Sequence, residues 1–455
     1  MTKPIEWIFL KTGSIVKKLS LFWQQLKKGI LHVFTASVIN KIIMMLSTMI
    51  LTRMLMQEQY GILSYAGNVY SYAALFSGFG MAVGAMQFGM ENRGAPEENS
   101  FYLYCAKAGT LANLAIIAFL SILLIYQKTP VSQAKIYTYL YLPLLLIEYL
   151  SQLFLLILRG QKRFKKYAKL LIAQTILNAF GSCIGAIWGI NGIFAAKYFV
   201  SIVVVFSIGW LMRDTIFEVI RGGKLNLRQK KELWRYSLLN NVSSTLNSFL
   251  FLIDLTMVGV LMTSVEAIAV YKVATLIPNA LSFIPQSVVI CVVPDIIAHN
   301  QNSAWLNENF RKTFNGMLIV NLVISACLIV CAPWVIQIVA GEQYLAAVEP
   351  FRILIAGYFV AGTFRSLSVN FLAALKAVKE NAVCSFITCM VDVALNFLLI
   401  PRFGILGAAS ATFFAELTAS VITFGSLIYT LMRLKREKIT ENENSDSLGE
   451  CIPEV

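Results

Sequence analysis

The chain has 455 residues, 58% of them hydrophobic and 14% charged, with a formal net charge of +14. A soluble domain carries about a quarter charged residues, so this balance excludes an ordinary soluble enzyme. The basic excess invites a nucleic-acid reading, which the placement of the charges argues against.

Residues 1–28 mix Lys11, Lys17, Lys18, Lys27 and Lys28 with Trp7, Phe9 and Trp23. They lack the apolar core and small-residue cleavage site of a signal peptide, and predict a basic amphipathic arm at the cytoplasmic interface. Apolar windows then predict twelve transmembrane helices, at about 30–56, 62–90, 101–126, 136–158, 167–188, 192–212, 233–261, 265–293, 312–340, 347–373, 381–400 and 405–432. Met317 to Ala340, for example, holds 24 residues and no charge. A helix of that length crosses a ~30 Å hydrocarbon core at ~1.5 Å per residue. The fold class is thus an all-α polytopic membrane protein. The predicted domains are the arm 1–28, a six-helix bundle 29–212, a basic linker 213–232, a second six-helix bundle 233–432, and a cytoplasmic tail 433–455. The stretch ENENSDSLGE near the end of that tail is expected to be unfolded.

With the N terminus in the cytoplasm, the cytoplasmic segments hold 27 of the 38 lysines and arginines, and the outer loops hold 3: Lys128, Lys135 and Arg402. That asymmetry is the positive-inside pattern and puts both termini in the cytoplasm. The basic tracts, such as RGQKRFKKYAK at 159–169, read as anchors to anionic headgroups. The eight cysteines are scattered. Cys327 and Cys331 lie one helical turn apart without further ligands, as packing thiols do. No metal or cofactor is expected.

The sequence repeats. Gly189-Ile190-Asn191-Gly192 aligns with Gly404-Ile405-Leu406-Gly407, followed by Ala195 and Ala196 against Ser410 and Ala411. Leu177-Asn178 and Leu395-Asn396 precede the two breaks. At a second offset, Leu55, Met56, Ile62 and Tyr65 match Leu261, Met262, Ile268 and Tyr271. Two parallel six-helix repeats around a central cavity follow, with the glycines making tight outer turns.

Three stretches carry a resemblance. LNFLLIPRFGILGAASAT (395–412), LTRMLMQEQYGILSYAGNVYSY (51–72) and DLTMVGVLMTSVEAIAVYKVA (254–274) resemble the polysaccharide flippases of O-antigen and capsule type. These form the oligosaccharidyl-lipid branch of the superfamily that includes the multidrug and toxic-compound extruders. The resemblance covers about residues 29 to 432. Ala267-Ile268-Ala269-Val270 departs from the family pattern, which commonly has Gly there. Twelve spans are also unlike the fourteen of the lipid II flippase branch, which argues against peptidoglycan precursor transport.

The resemblance implies a non-enzymatic flippase in the bacterial cytoplasmic membrane. It would translocate undecaprenyl-pyrophosphate-linked oligosaccharide repeat units to the outer leaflet by alternating access, for surface polysaccharide export. Its partners would be that glycan, membrane lipid, and possible polymerase and glycosyltransferase neighbours. Such a substrate needs cations for pyrophosphate and hydrogen-bonding groups for sugar. Ionisable groups inside spans normally face a cavity or a partner. By depth, Lys41 and Arg365 are the foremost cavity cations. Arg53, Lys107, Lys197 and Arg352 are near enough to span ends to snorkel. Asp254 and Lys272 sit nine residues either side of Thr263, so a structural ion pair between them rivals a substrate role for Lys272. Asn241 and Asn247, in a polar run on the seventh span, are sugar-binding candidates against a helix-packing alternative. Asn40 and Asn178 are weaker ones. Asp392 and Glu416 fall at similar depth in adjacent helices, a pair able to share a coupling proton.

Two other readings stay open. A multidrug or cation antiporter of the same fold would want carboxylates in the cavity. A membrane-embedded glycan polymerase or transferase would want a large outer loop. No nucleotide-binding loop is present.

Overall fold

The short breaks that punctuate this apolar chain determine where its helices end. The computed structural model describes residues 31–95, 97–126, 132–211, 213–298, 303–374 and 378–449, so the amphipathic arm 1–28 lies outside the described residues. Those residues form helices, turns and no strand. In chain order they are α1 (Leu31–Met54), α2 (Gln57–Leu75), a 3-10 turn (Ser77–Gly80), α3 (Met81–Glu91), α4 (Glu97–Tyr126), α5 (Ser132–Tyr141), α6 (Leu144–Gly160), α7 (Phe164–Gly185) and α8 (Gly189–Leu211). There follow α9 (Arg213–Ile220), α10 (Leu227–Met262), α11 (Val265–Leu281), α12 (Phe283–Ala298), α13 (Ser303–Val330) and α14 (Ala332–Ala340). The chain then continues through α15 (Val348–Val360), a π-helical turn (Ala361–Arg365), α16 (Ser366–Ala374), α17 (Val378–Phe403) and α18 (Ile405–Gly449).

Every predicted span lies on helix. Among the described residues, ten stretches are long and apolar enough to cross a membrane. One of them, Phe164–Leu211, is 48 residues long and doubles back at the turn Ala186–Trp188 into α7 and α8, which carry two of the predicted spans. The seventh predicted span lies on α10, where Leu252–Met262 forms a shorter apolar segment among the described residues. The tail differs from expectation. Helix α18 continues to Gly449, so most of ENENSDSLGE is helical rather than unfolded.

The chain clusters into two compact units. The first takes Met1–Met54, Ala73–Gln127 and Thr138–Val242; the second takes Leu55–Tyr72, Lys128–Tyr137 and Ser243–Val455. Both show the reversed polarity of proteins dissolved in lipid. Phe119, Phe199, Phe206 and Trp210 are exposed, whereas Asn68, Asn113, Asn321 and Asn396 are buried. Large apolar side chains on an outer face belong in hydrocarbon, and buried amides need partners.

In the first unit, α1 packs on α7, and α3 packs on α4 and α6. The break after α2 uses three left-handed residues, Gly78 (φ 56°), Phe79 (φ 47°) and Gly80 (φ 76°). Asn113 from α4 supplies the missing acceptor: its Oδ1 takes hydrogen bonds from the Gly78 N–H (3.0 Å) and the Ser77 hydroxyl (3.2 Å). The second predicted half breaks at the equivalent place, since α2 ends at Leu75 and α11 at Leu281. There Pro278 and Pro285 flank the interruption and remove two backbone donors.

In the second unit, α2 lies against α10. Asn68 donates to the Leu252 carbonyl (3.0 Å) and to the Thr256 hydroxyl (2.8 Å), which also bonds the Tyr72 hydroxyl (3.0 Å). The predicted glycine turns are present. Gly404 sits at φ 60° between α17 and α18 and permits the reversal. A Cβ on Gly407 would lie 2.2 Å from the Leu399 carbonyl oxygen, so the two helices meet backbone to backbone. The same holds at Gly192, whose Cβ would lie 2.2 Å from the Gly185 oxygen. Replacing Gly407 with Val is expected to destabilise the second unit by about 1–3 kcal/mol, the usual cost of overpacking. Thermal unfolding of the purified variant checks this; an unchanged midpoint would contradict the close approach.

Candidate functional site

Helices α10, α11, α12, α15, α16, α17 and α18 of the second unit enclose a cavity of about 290 Å³. Asp254, Lys272, Arg365, Asp392 and Glu416 all line it. Thus every ionisable residue the sequence placed in the second half as a substrate or coupling candidate meets at one site, although they come from five helical segments.

The pairing differs from the predicted one. Asp254 does not bond Lys272. Its Oδ2 accepts from the Thr412 hydroxyl (2.8 Å) and the Tyr271 hydroxyl (3.3 Å), and its Oδ1 accepts from the Asn396 amide (2.9 Å). The same amide reaches Asp392 Oδ1 (3.3 Å) and the Asp392 carbonyl (3.0 Å). Counting residues from the Thr263 turn compared only α10 with α11. Across the unit, Asp254 turns instead toward α17 and α18, where Asn396 and Thr412 join Tyr271 of α11 as neutral donors. Asp254, Asp392 and Asn396 are buried, and the Asn396 Oδ1 is buried without a partner. One amide therefore bridges two carboxyl groups with a spare carbonyl beside them. Such a set of oxygens suits a proton or a small hard cation.

The predicted Asp392–Glu416 pair is likewise replaced. Arg365, expected as an unpaired cavity cation, donates through Nη1 to both oxygens of Glu416, each at 2.8 Å. The two side chains are 15% and 17% exposed, so each charge is compensated where water is scarce. The π-helical turn ends at Arg365 and resets the helix face that carries it. That turn is held from α13: Asn321 donates to the Thr363 hydroxyl (3.1 Å) and accepts from the Tyr358 hydroxyl (3.0 Å). Lys272 is half-buried, and no carboxylate among the described residues lies within ion-pair distance of it.

The remaining sequence candidates lie in the first unit, apart from Arg352 and Asn247 of the second. Lys41 and Arg53 sit on α1 with exposed side chains, and Asn40 Oδ1 is buried without a partner. Asn241 donates to the Leu75 carbonyl (2.9 Å), a helix-to-helix bond in the first unit. Asn178 bonds its own helix at Gln174 O (2.9 Å). Lys197 stacks on the Tyr141 ring at 5.8 Å, and Arg352 pairs with Glu349 at 2.6 Å. The Asn247 side chain lies outside the described residues.

Sequence reasoning missed Asn396 and Thr412 as site residues. Asn396 stands four residues after Asp392, the spacing that puts both on one helix face, and that was the available signal. Thr412 had none, because a hydroxyl inside an apolar helix more often bonds its own backbone. It does that too, donating to Ala408 O at 3.0 Å.

Known proteins share this architecture. The structure of a lipid II flippase, MurJ, in an inward closed conformation matches with a TM-score of 0.72 at 15% identity, over 90% of this chain and 91% of that one. An inward-facing multidrug resistance transporter of the MATE family, from the MOP superfamily, matches with a TM-score of 0.69 at 12% identity, over 89% and 99%. At such identities the likeness concerns the fold. In sequence, the probable low-salt glycan biosynthesis flippase Agl15 of Haloferax volcanii is 23% identical over 319 residues, 66% of this chain and 65% of that protein. The match thus spans a little less than two thirds of that relative's own length. The family model described as polysaccharide biosynthesis protein matches residues 26–297, more than half of the chain. A multi-pass helical membrane protein with these matches, as the three quoted stretches anticipated, belongs to the polysaccharide biosynthesis protein family.

Proposed function

We propose that the chain is a flippase for undecaprenyl-pyrophosphate-linked oligosaccharide repeat units. It carries them from the cytoplasmic to the outer leaflet of a bacterial cytoplasmic membrane by alternating access between two six-helix halves, both termini being cytoplasmic. The product is surface polysaccharide of O-antigen or capsule type, with a polymerase and glycosyltransferases as functional neighbours. The observation that carries this reading is a cavity lined by Asp254, Lys272, Arg365, Asp392 and Glu416 in an apolar helical unit of a member of a polysaccharide biosynthesis family. A hydrocarbon-soluble unit retains buried amides and ions only where they do something, because each is costly in lipid.

Lys41 and Arg53 on α1 attract the pyrophosphate, and Lys272 contributes a further positive charge in the second unit. Asp254 and Asp392 form the coupling site, taking up a proton or hard cation that drives the return step. The membrane potential adds to this drive, since an anion leaving a negative cytoplasm gains ~2.3 kcal/mol per charge per 100 mV. Deleting the gene in its host should trap the lipid-linked repeat unit on the cytoplasmic face, out of reach of externally added periodate or lectin. Re-expression of the chain should restore access, and K41A/R53A should restore it about tenfold less well, a loss of ~1.4 kcal/mol. Lipid-linked glycan that is equally accessible without the gene would overturn the reading.

The bridged Asp254–Asp392 pair favours one second reading, export of an organic cation by exchange for a proton or metal cation. The deletion strain separates the two: cation sensitivity with normal surface glycan would support the exchanger.

A further inference from the structure

We propose that the cavity of the second unit is a subsite for a single uncharged sugar ring of the carried glycan, read by the Arg365–Glu416 pair together with Asn370 and Asn279. The proposal rests on the flippase reading above and deepens it.

Size comes first. Small-molecule pockets run from ~300 to ~1,000 Å³, and this cavity, at about 290 Å³, stands at the bottom of that range. It has room for one ring, and on this proposal the rest of a repeat unit lies elsewhere.

Charge comes second. Glu416 and the two aspartates would repel an acidic sugar, while Arg365 and Lys272 would repel an organic cation. An ion binding at Arg365 or Glu416 would also have to displace an existing partner, since the two already satisfy each other. An uncharged ligand meets neither objection.

Unused hydrogen-bonding capacity comes third. A sugar hydroxyl donates and accepts at once, so it is best met by a donor and an acceptor side by side. Arg365 spends only Nη1 on Glu416, which leaves Nε and Nη2 without partners among the described residues. The Glu416 oxygens each keep a lone pair beside those donors. Asn370 spends Nδ2 on the Ser366 carbonyl (2.7 Å) and keeps Oδ1. The Asn279 amide bonds nothing among the described residues, and both amides line the cavity. Finally, Tyr358 offers an apolar ring face. Its hydroxyl is held at 3.0 Å by Asn321, which fixes the ring where the C–H face of a pyranose can rest.

The test measures binding of free methyl glycosides to the full-length chain in detergent by saturation-transfer NMR. The probes are neutral methyl hexosides and methyl N-acetylhexosaminides, methyl glucuronide as the acidic control, and tetraphenylphosphonium as the cationic one. At least one neutral glycoside should bind, and neither charged probe should displace it. The cavity-filling variant S385L/N370L should weaken that binding about tenfold or more, provided its thermal unfolding matches the wild type. Asn279→Ala, a smaller change, should give a partial loss. Absence of binding by every neutral glycoside, displacement by either charged probe, or wild-type binding in S385L/N370L would each overturn the subsite. Flipping of an undecaprenyl-pyrophosphate-linked glycan is read in parallel in proteoliposomes. Flipping by the wild type without glycoside binding sinks the subsite alone. Glycoside binding that meets every criterion, without flipping, upholds the pocket and sinks the flippase reading.

Discussion

Replacing Arg365 with Ala is expected to destabilise the folded chain by about 3–5 kcal/mol, because Glu416 is left charged and uncompensated in a largely water-free place. Glu416→Ala should cost a similar amount for the mirrored reason. The double replacement R365M/E416M should recover most of the loss, since both desolvation penalties leave together and two apolar side chains of like length fill the space. The coupling between the sites is therefore expected to be large and of the sign that makes the double variant better than the sum. Thermal or denaturant unfolding in detergent gives all three values. Strictly additive losses would show that the two 2.8 Å contacts from Nη1 contribute nothing beyond packing. The double variant should also separate stability from function. On the subsite proposal it stays folded and loses sugar binding.

Asp254→Asn is expected to leave the fold nearly as stable and to lower coupled transport by about 5–150-fold, the range of a 1–3 kcal/mol coupling. The local geometry says why the fold tolerates it. The substituted side chain would keep its oxygen for the Asn396 amide and turn its new amide toward the Thr412 and Tyr271 hydroxyls, which accept as well as donate. What disappears is the second carboxyl group, and with it the capacity to hold a proton or cation between two acids. Asp392→Asn should act in the same way. Transport by either variant should lose its dependence on the imposed proton or cation gradient and keep only the part driven by the membrane potential. Gradient dependence that persists in both would remove the coupling role of the pair.

These two cases also mark what was legible in the sequence. Helix positions were, because a lipid-dissolved helix writes its length directly in hydropathy, and Gly189, Gly192, Gly404 and Gly407 punctuate it. Breaks inside spans were not. The Ser77–Gly80 turn has its Gly78 N–H satisfied by Asn113, and the π-helical turn at Ala361–Arg365 is held by side-chain bonds of the Asn321–Thr363–Tyr358 set, so neither interrupts the apolar run. The charged residues of the second unit were found but mispaired. Depth counted from a turn compares neighbours in one hairpin, whereas Asp254 and Arg365 take partners from α17 and α18, at least 51 residues away in the chain. That choice depends on how seven helices pack, and packing is read from contacts rather than from spacing. Asn396 shows the limit well: it served as a marker of the internal repeat, and only the structure showed its amide spanning two acids.

The central claim is that this chain moves a pyrophosphate-linked glycan across a bilayer, and reconstitution tests it most directly. The purified chain is placed in proteoliposomes carrying an undecaprenyl-pyrophosphate-linked oligosaccharide in both leaflets, and the fraction open to an added membrane-impermeant glycosidase is followed over time. The account predicts that the protected inner-leaflet half becomes accessible with the chain present, stays protected in empty vesicles, and becomes accessible more slowly with D254N under an imposed gradient. A protected half that stays protected with well-folded wild-type chain, under both a proton and a cation gradient, would contradict it.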